Sequence, residues 1–397
     1  MYVNIDEFLG RKESIFNVDL IKNAAILNEI IENSSFLVIG GAGSIGQAVV
    51  KEIFSRNPRK LHIVDLSENN LTELLRDIRS SFGYISGEFK MYSLDVGSPV
   101  FSAFINSQDS YDYVINLSAL KHVRSEKDPY TLMRMIDVNI INTISTIQSS
   151  IDKKSKKYFS VSTDKAANPI NMMGASKKIM EMFLISKSEE IQISSTRFAN
   201  VAFSDGSLLD SFINRFAKKQ PLVAPNDIKR YFITPKESGE LSLLSCLLAK
   251  NRELFFPKIS NDLPEISFMD LAYSFIEKSG YKVYECQSEE EARSEAIKLI
   301  KNGFWPCFFS SSDTTGEKDL EEFYTQQEEV DFDRFNSIGV VNQKENLSSF
   351  ILKDFLSNLN QIKEKGTWSK NDLVDLFKNV LKDFEYQDKG KYLDAKM

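Results

Sequence analysis

Seven residues, Gly40-Gly41-Ala42-Gly43-Ser44-Ile45-Gly46, carry the first chemistry that can be read in this 397-residue chain. They follow an apolar run directly and open a helical stretch, which is the setting a phosphate-cradling turn requires. Gly40 permits the tight turn, Gly43 lets the backbone approach a pyrophosphate, and Gly46 lets the helix pack closely on the strand. Ser44 and Ile45 begin a helix whose unpaired N–H groups face the phosphate. Asp65, nineteen residues after Gly46, ends the next strand, where a carboxylate accepts hydrogen bonds from ribose hydroxyls. It would repel a 2′-phosphate, and Leu66-Ser67-Glu68 offers no arginine to hold one, so NAD is favoured over NADP. Asp95 and Val96, ending the third strand, are placed to border the adenine; a simple turn aspartate is the competing reading.

A hydroxyl, a carboxylate and an ammonium stand in a row at Thr163-Asp164-Lys165. They follow a fifth strand, and residues there face the cofactor crevice of a doubly wound sheet. The same threonine and aspartate can also cap a turn before Pro169. Cys246, Cys286 and Cys307 lie far apart without ligand spacing, and read as buried or incidental thiols of a reducing compartment. With His62 and His122 the sole histidines, no metal site is expected.

The elements that must position these residues follow from hydrophobic periodicity. Short apolar runs predict strands at Phe36–Gly40, Leu61–Asp65, Phe89–Asp95, Tyr113–Ser118, Tyr158–Ser162 and Ser194–Phe198. Helical spacing lies between them, at Ile45–Arg56, Asn69–Ser80, Pro99–Asn106, Tyr130–Ile151 and Ala175–Ser188. That alternation is the pattern of an α/β Rossmann fold, a doubly wound parallel sheet. The domain reading is a helical lead-in over 1–33, the Rossmann domain over 34–200 with returning segments near 230–260, a smaller substrate-binding part over 201–342, and C-terminal helices with a polar tail over 343–397. Within the later parts, Ser288–Ile300 reads as a charged helix, Gly303–Gly316 as rich in aromatics, Ser and Thr, and Leu347–Leu359 and Lys370–Asp383 as amphipathic helices broken near Gly366. The tail Glu385–Met397 is polar and expected to be mobile.

A net charge of −7 leaves no basic surplus for a general nucleic-acid binder. No stretch reaches the roughly eighteen apolar residues of a membrane span, and the acidic start Met1–Glu7 lacks a signal pattern. A cytoplasmic location is expected.

The glycine spacing resembles that of extended short-chain dehydrogenases/reductases. Three further stretches sharpen the resemblance: Asn116-Leu-Ser-Ala-Leu-Lys-His-Val123; Ser162–Pro169 followed by Met172–Lys177; and Arg197–Val201 with Ser204–Ser207 and Lys229–Thr234. Together they are similar to the nucleotide-sugar 4,6-dehydratases of bacterial polysaccharide biosynthesis, typified by UDP-N-acetylglucosamine 4,6-dehydratase. The likeness runs from about Ser35 to Lys258. It extends to Phe8-Leu9-Gly10-Arg11, which resembles the linker joining membrane helices to the catalytic part in larger members. Ser312-Asp313-Thr314-Thr315-Gly316-Glu317-Lys318 looks like a C-terminal extension of soluble members associated with nonulosonic-acid pathways.

The resemblance implies a reaction in which sugar carbon 4 is oxidised, water is lost across carbons 5 and 6, and the hydride returns to carbon 6. It implies that Leu117, Ser118 and Ala119 pass under the nicotinamide. Asp164 is then the acid toward the leaving hydroxyl, Lys165 the base or electrostatic partner, and Thr163 a hydrogen-bond partner near carbon 4. Short-chain dehydrogenases usually carry Tyr-x-x-x-Lys; here the tyrosine position is Met173, which has no proton to exchange, and Lys177 remains to bind the nicotinamide ribose. A subgroup of these dehydratases shares the methionine, which implies activity.

Lys121 is placed to reach the substrate, with a surface lysine as the alternative; His122 reads equally as structural. Asn200, Ser207 and Arg230 are candidates for the nucleotide diphosphate, arginine suiting bidentate phosphate contacts; a surface ion pair with Asp227 is the alternative for Arg230. The partners implied are a nucleotide sugar, carrying UDP or GDP, and further copies of the chain in a homo-oligomer. Rival readings are a nucleotide-sugar epimerase and a non-catalytic dinucleotide-binding protein.

Overall fold

Apolar side chains that bury both faces of a strand favour a parallel sheet covered by helices, and the first strand, β1 (Ser35–Ile39), is buried at every residue. The computed structural model describes residues 4–312, 321–344, 349–388 and 390–391. The other strands are β2 (Lys60–Asp65), β3 (Glu88–Ser93), β4 (Tyr113–Asn116), β5 (Lys157–Thr163), β6 (Gln192–Phe198), β7 (Asn200–Val201), β8 (Leu222–Pro225), β9 (Lys229–Ile233), β10 (Glu253–Pro257), β11 (Glu265–Ser267), β12 (Lys282–Cys286), β13 (Phe304–Ser310), β14 (Glu329–Asp331) and β15 (Ile338–Asn342). Nine of them form one sheet in the order β14-β15-β10-β6-β5-β4-β1-β2-β3. From β3 across to β10 the neighbours run parallel; β15 and β14 close the edge antiparallel. The chain leaves β1 toward β2 on one side, and β4 lies on the other. That reversal opens a crevice at the carboxyl ends of β1 and β4, where α/β sheets bind ligands.

The Rossmann reading is therefore correct in class and in its six strands. Two smaller sheets, β11-β9-β7 and β12-β13-β8, stand beside it. β10 lies within the returning segments expected near 230–260 and joins the large sheet; of the rest of the region read as substrate-binding, β14 and β15 join that sheet too. The aromatic stretch after Gly303 contains β13, with Trp305 and Cys307 buried. A proline inside the run, Pro306, is what disguises it, since proline argues against an interior strand. All three cysteines are buried and unpaired by disulfide.

The helical stretch predicted over Tyr130–Ile151 is interrupted. It runs as Pro129–Ile136, one wide π turn at Asp137–Ile141, then Asn142–Asp152. Such turns are frequent at functional sites, and this one contains the buried Asn139. The lead-in helix Asn17–Glu32 and the residues before it pack on the helix Pro235–Leu248; Arg11 donates to Glu237 Oε1 at 2.9 Å and to the Phe232 carbonyl at 2.6 Å.

The C-terminal helices Ser349–Glu364 and Lys370–Val380 are joined through Gly366, whose φ is +71°. Phe355, Leu359, Leu373 and Phe377 form one apolar cluster with Leu132, Met133, Met172, Met173 and Phe183, so the hairpin covers the helices that flank the crevice. The expectation of a mobile tail is corrected over 385–388. The Gln387 N–H donates to the Ile170 carbonyl at 3.3 Å and Asp388 pairs with Lys370 at 2.6 Å, because buried Phe384 draws the chain onto that cluster. The extension-like residues 313–318 lie outside the described residues. Among the described residues no helix is long and apolar enough to cross a membrane.

One buried ion cluster ties the later chain to the sheet. Arg197 on β6, wholly shielded, donates to Glu181 at 2.8 and 3.0 Å, to both oxygens of Glu328 at 2.8 Å, and to the Phe323 carbonyl at 2.8 Å. Removing one member of such a cluster leaves buried charge uncompensated. Arg197→Ala is expected to lower the unfolding free energy by about 3–5 kcal/mol, measured by urea denaturation; a change within error would show that the cluster contributes nothing net.

Candidate active site

The glycine turn starts where β1 ends. Gly40 has φ +73°, and a Cβ there would come within 2.7 Å of the Ser118 backbone nitrogen. At Gly46 a Cβ would overlap the Gly40 carbonyl oxygen. These positions exclude side chains for steric reasons. Gly43 caps the helix Ser44–Phe54 without a side-chain hydrogen bond, leaving first-turn N–H groups for a ligand. The turn thus fits a dinucleotide's pyrophosphate, with Gly43, Ser44, Ile45 and Gly46 as the residues that would hold it.

Asp65 steadies this turn. Its Oδ2 accepts the Ala42 N–H and its Oδ1 the Ser67 N–H, both at 2.9 Å. A carboxylate has about four acceptor positions, so two remain for ribose hydroxyls. The Leu117 N–H bonds the Ile39 carbonyl at 2.8 Å, which sets Leu117, Ser118 and Ala119 against Gly40. Asp95 accepts the Gly97 N–H at 3.0 Å and lies 3.7 Å from Arg134, a turn aspartate's contacts, while Val96 packs against the apolar layer under β1 and β4.

The loop after β7 comes back to the same edge: the Asp205 N–H donates to Ser44 Oγ at 2.8 Å. Lys121 reaches Ser204 Oγ at 3.2 Å, and His122 lies against Gly206. Ser207 is committed locally, capping the helix Leu208–Ala217 through the Asp210 N–H at 3.2 Å.

At the carboxyl end of β5, Thr163 and Asp164 do form a capped turn, with Thr163 Oγ1 accepting the Lys165 N–H at 3.4 Å. Their side chains also converge on more than a cap requires. Thr163 Oγ1 donates to Asp164 Oδ1 at 2.6 Å, and Lys165 Nζ lies 3.1 and 3.3 Å from the Asp164 oxygens. Burial opposes charge on Asp164, which is 3% exposed, yet the Lys165 ammonium and the Thr163 hydroxyl hold its carboxyl below the ordinary carboxylate range. Lys165 is held protonated in turn: burial works against it, and Asp164 and Glu321 outweigh that.

Glu321 is the residue that sequence reasoning missed. Its Oε1 accepts from Asn200 Nδ2 at 2.6 Å and lies 3.4 Å from Arg230 Nε and 3.8 Å from Lys165 Nζ. Asn200 and Arg230 therefore belong to the Thr163–Lys165 cluster. Arg230 is buried rather than paired at the surface with Asp227, whose carboxylate takes the Ser312 N–H. No spacing in the sequence links Glu321 to Asp164.

The helix Met172–Ser186 forms the next wall. Lys177 is buried, donating to the Val161 carbonyl at 3.1 Å and resting 3.6 Å from the Met180 sulfur. Met173 belongs to the apolar cluster under the C-terminal hairpin, and its N–H donates to buried Glu126 at 2.8 Å. Burial pushes the Glu126 carboxyl up to about 7. Asn139 braces this wall, its amide bonding Leu120 N and O at 2.9 and 3.1 Å and Ser176 Oγ at 2.9 Å.

Comparison with known families settles the lineage, since the polysaccharide biosynthesis protein family model matches residues 36–343. The chain belongs to that family. The match contains every site residue described above, from Gly40 to Glu321, and stops short of the C-terminal hairpin. Among family relatives, the chain is similar to an uncharacterized membrane protein of Methanocaldococcus jannaschii, 29% identical over 79% of this chain and 87% of that one. It is also similar to the capsular polysaccharide biosynthesis protein CapD of Staphylococcus aureus, 29% identical over 70% of this chain, and spans 45% of that protein's length. A UDP-glucose 4-epimerase of Rickettsia rickettsii is 27% identical over 67% of this chain and 81% of its own. The same fold is seen in Pen from Bacillus thuringiensis, with a TM-score of 0.63 and 22% identity over 85% of this chain and 99% of that one.

Burial holds the Lys177 ammonium down to about 8 from an ordinary 10.5, Glu181 opposing the shift. Between those values the unfolded chain keeps a proton that the folded chain has released, so this group makes stability rise with pH across that window. Its charge costs most below about pH 8. Lys177→Met is expected to raise the unfolding free energy at pH 7 by about 1–3 kcal/mol, with the gain shrinking above pH 8 in urea titrations. A less stable variant at pH 7 would contradict it.

Proposed function

We propose that this chain is a nucleotide-sugar 4,6-dehydratase that uses NAD and acts on UDP-N-acetylglucosamine in polysaccharide biosynthesis. One observation carries the reading: a hydroxyl, a buried carboxylate and an ammonium meet at the carboxyl end of β5, while an apolar Met173 fills the tyrosine position of short-chain dehydrogenases. NAD, when bound, would accept the hydride from sugar carbon 4 and return it to carbon 6. The glycine turn and Asp65 would hold its pyrophosphate and ribose, and Asp65 disfavours a 2′-phosphate.

The chain's own residues would handle protons. Thr163 hydrogen-bonds the sugar near carbon 4 while its own hydroxyl donates to Asp164 at 2.6 Å. Asp164, once protonated, delivers that proton to the departing hydroxyl at carbon 6. Of the two roles open to Lys165, base or electrostatic partner, its pairing with Asp164 and Glu321 supports the second: a fixed positive charge beside the oxygen that gathers electrons as the carbon-5 proton leaves. Lys121 and the Ser204–Ser207 loop lie near the turn that would hold the pyrophosphate, so they are suited to the sugar nucleotide's phosphates.

The epimerase reading draws on the Rickettsia relative. It needs a proton-transferring group where this chain has Met173, and Thr163-Asp164-Lys165 suits loss of water better. Incubation with UDP-N-acetylglucosamine and NAD is expected to yield a 4-keto-6-deoxy sugar by NMR. Asp164→Asn should lower turnover by about 10²–10⁴-fold. A 4-epimer as product, or an unimpaired Asn variant, would overturn the proposal.

A further inference from the structure

The dehydratase reading asks Asp164 to act as an acid, whereas Lys165 and Thr163 keep its carboxyl ionised. A proton must therefore be stored nearby. Glu321 is 5% exposed, and Asn200, Arg230 and Lys165 all approach its Oε1. Its second oxygen, Oε2, is shut off from water with no donor among the described residues. Lys165 Nζ lies between the two carboxyls, 3.1 Å from Asp164 and 3.8 Å from Glu321, and two carboxyls sharing one cation in a dry site cannot both be ionised at low cost.

The chain delivers Glu321 there by design of its packing. Glu322 accepts from Asn168, on the turn after Thr163–Lys165, at 2.9 Å, and Glu328 is held by buried Arg197. The segment 321–328 is thus fastened at both ends over the carboxyl edge of β5 and β6.

We propose that Glu321 is a proton-holding positioning residue: it shares one proton with Asp164 and hands it over when Asp164 protonates the leaving hydroxyl. The inference rests on the dehydratase reading. The transfer turns Glu321-COOH and Asp164-COO⁻ into Glu321-COO⁻ and Asp164-COOH. As Asp164 gives up that proton, the carbon-6–oxygen bond breaks and its electron pair leaves with the oxygen as water; the carbon-5 proton passes to the carboxylates of the pair, and the electrons of the carbon-5–hydrogen bond form the new carbon–carbon double bond. The pair returns the carbon-5 proton to carbon 5 as hydride reaches carbon 6, and the proton shed by the 4-hydroxyl on oxidation leaves the pair with the one proton it began with, so no outside acid is consumed. Asn200, Arg230 and Lys165 then stabilise the Glu321 carboxylate.

The groups facing Glu321 are Asp164 and Lys165 after β5, Asn200 on β7, and Arg230 and Tyr231 on β9. Burial first, then the Asp164 charge, pushes the Glu321 carboxyl up to about 7 despite Lys165 and Arg230. Glu321 is accordingly protonated below that pH and spent above it.

The test compares the full chain with Glu321→Gln, which keeps the shape and hydrogen bonds of the neutral acid but cannot release a proton. With UDP-N-acetylglucosamine, kcat of the variant is expected to fall about 10²-fold or more at unchanged KM, and the wild type's decline above about pH 7 should vanish. The same sugar nucleotide with fluorine at carbon 6 loses fluoride without needing an acid, so wild type and variant should consume it equally. Wild-type turnover of UDP-N-acetylglucosamine by Glu321→Gln, or an equal deficit on both sugars, would overturn the proposal. Infrared titration gives a readout without turnover: Glu126 and Glu240 are also pushed up to about 7, so the wild-type-minus-variant difference is read, and a protonated-carboxyl band in that difference lost near pH 7 supports the shared proton, whereas an empty difference refutes it. A wild type inert toward both sugars that still shows the titrating band would count against the dehydratase reading alone.

Discussion

A carboxylate placed in dry protein must be given a cation and hydrogen-bond donors, or it will not stay charged. Asp164 receives the Lys165 ammonium and the Thr163 hydroxyl, and much of the surrounding architecture exists to keep those three in register. β5 supplies the platform, buried through Ser162 and flanked by β4 and β6 in parallel register. Gly174, at the start of the next helix, allows that helix to close over the turn: a Cβ there would overlap the Lys165 carbonyl oxygen. The turn is therefore fixed from beneath by the sheet and from the side by the helix.

Two charge clusters extend this arrangement into the later chain. Arg197 gathers Glu181 and Glu328, and Glu321 gathers Asn200, Arg230 and Lys165. Both clusters join residues more than a hundred positions apart, and both are shielded, so their members interact more strongly than surface pairs do. The C-terminal hairpin works by different means. It fills the space beside Met172 and Met173 with apolar side chains, while Trp368 Nε1 donates to the Pro129 carbonyl at 3.0 Å and Lys363 pairs with Asp137. A tyrosine in place of Met173 would bring a hydroxyl that needs a partner into that layer, which accounts for a thioether being at home there.

The strands were legible because a parallel sheet buries both faces and leaves near-continuous apolar runs, as in Phe36–Ile39 and Tyr158–Val161. The glycine turn was legible because each glycine answers a local steric demand. β13 was obscured by Pro306, and the docked residues 385–388 by their polar composition, since anchoring by Phe384 depends on a cluster built from distant helices. Asn139 left a faint trace: an amide between Ile136 and Ile140 on an apolar helix face is a polar group that needs partners. Glu321 left none.

By itself the sequence determined the parallel α/β sheet, the dinucleotide-type turn with its acidic partner, and the presence of a hydroxyl, carboxylate and ammonium at one strand end. Those features are local, set by periodicity and by residues within a few positions of one another. Only the tertiary structure decided that Asn200 and Arg230 turn toward a buried Glu321 and that Lys165 lies between this glutamate and Asp164. It also decided that Ser207 is spent on a helix cap and that Lys177 lies against a strand carbonyl. The reason is physical: the ionisation of a buried group depends on which charges surround it in space, and strand order, not spacing along the chain, brings those charges together.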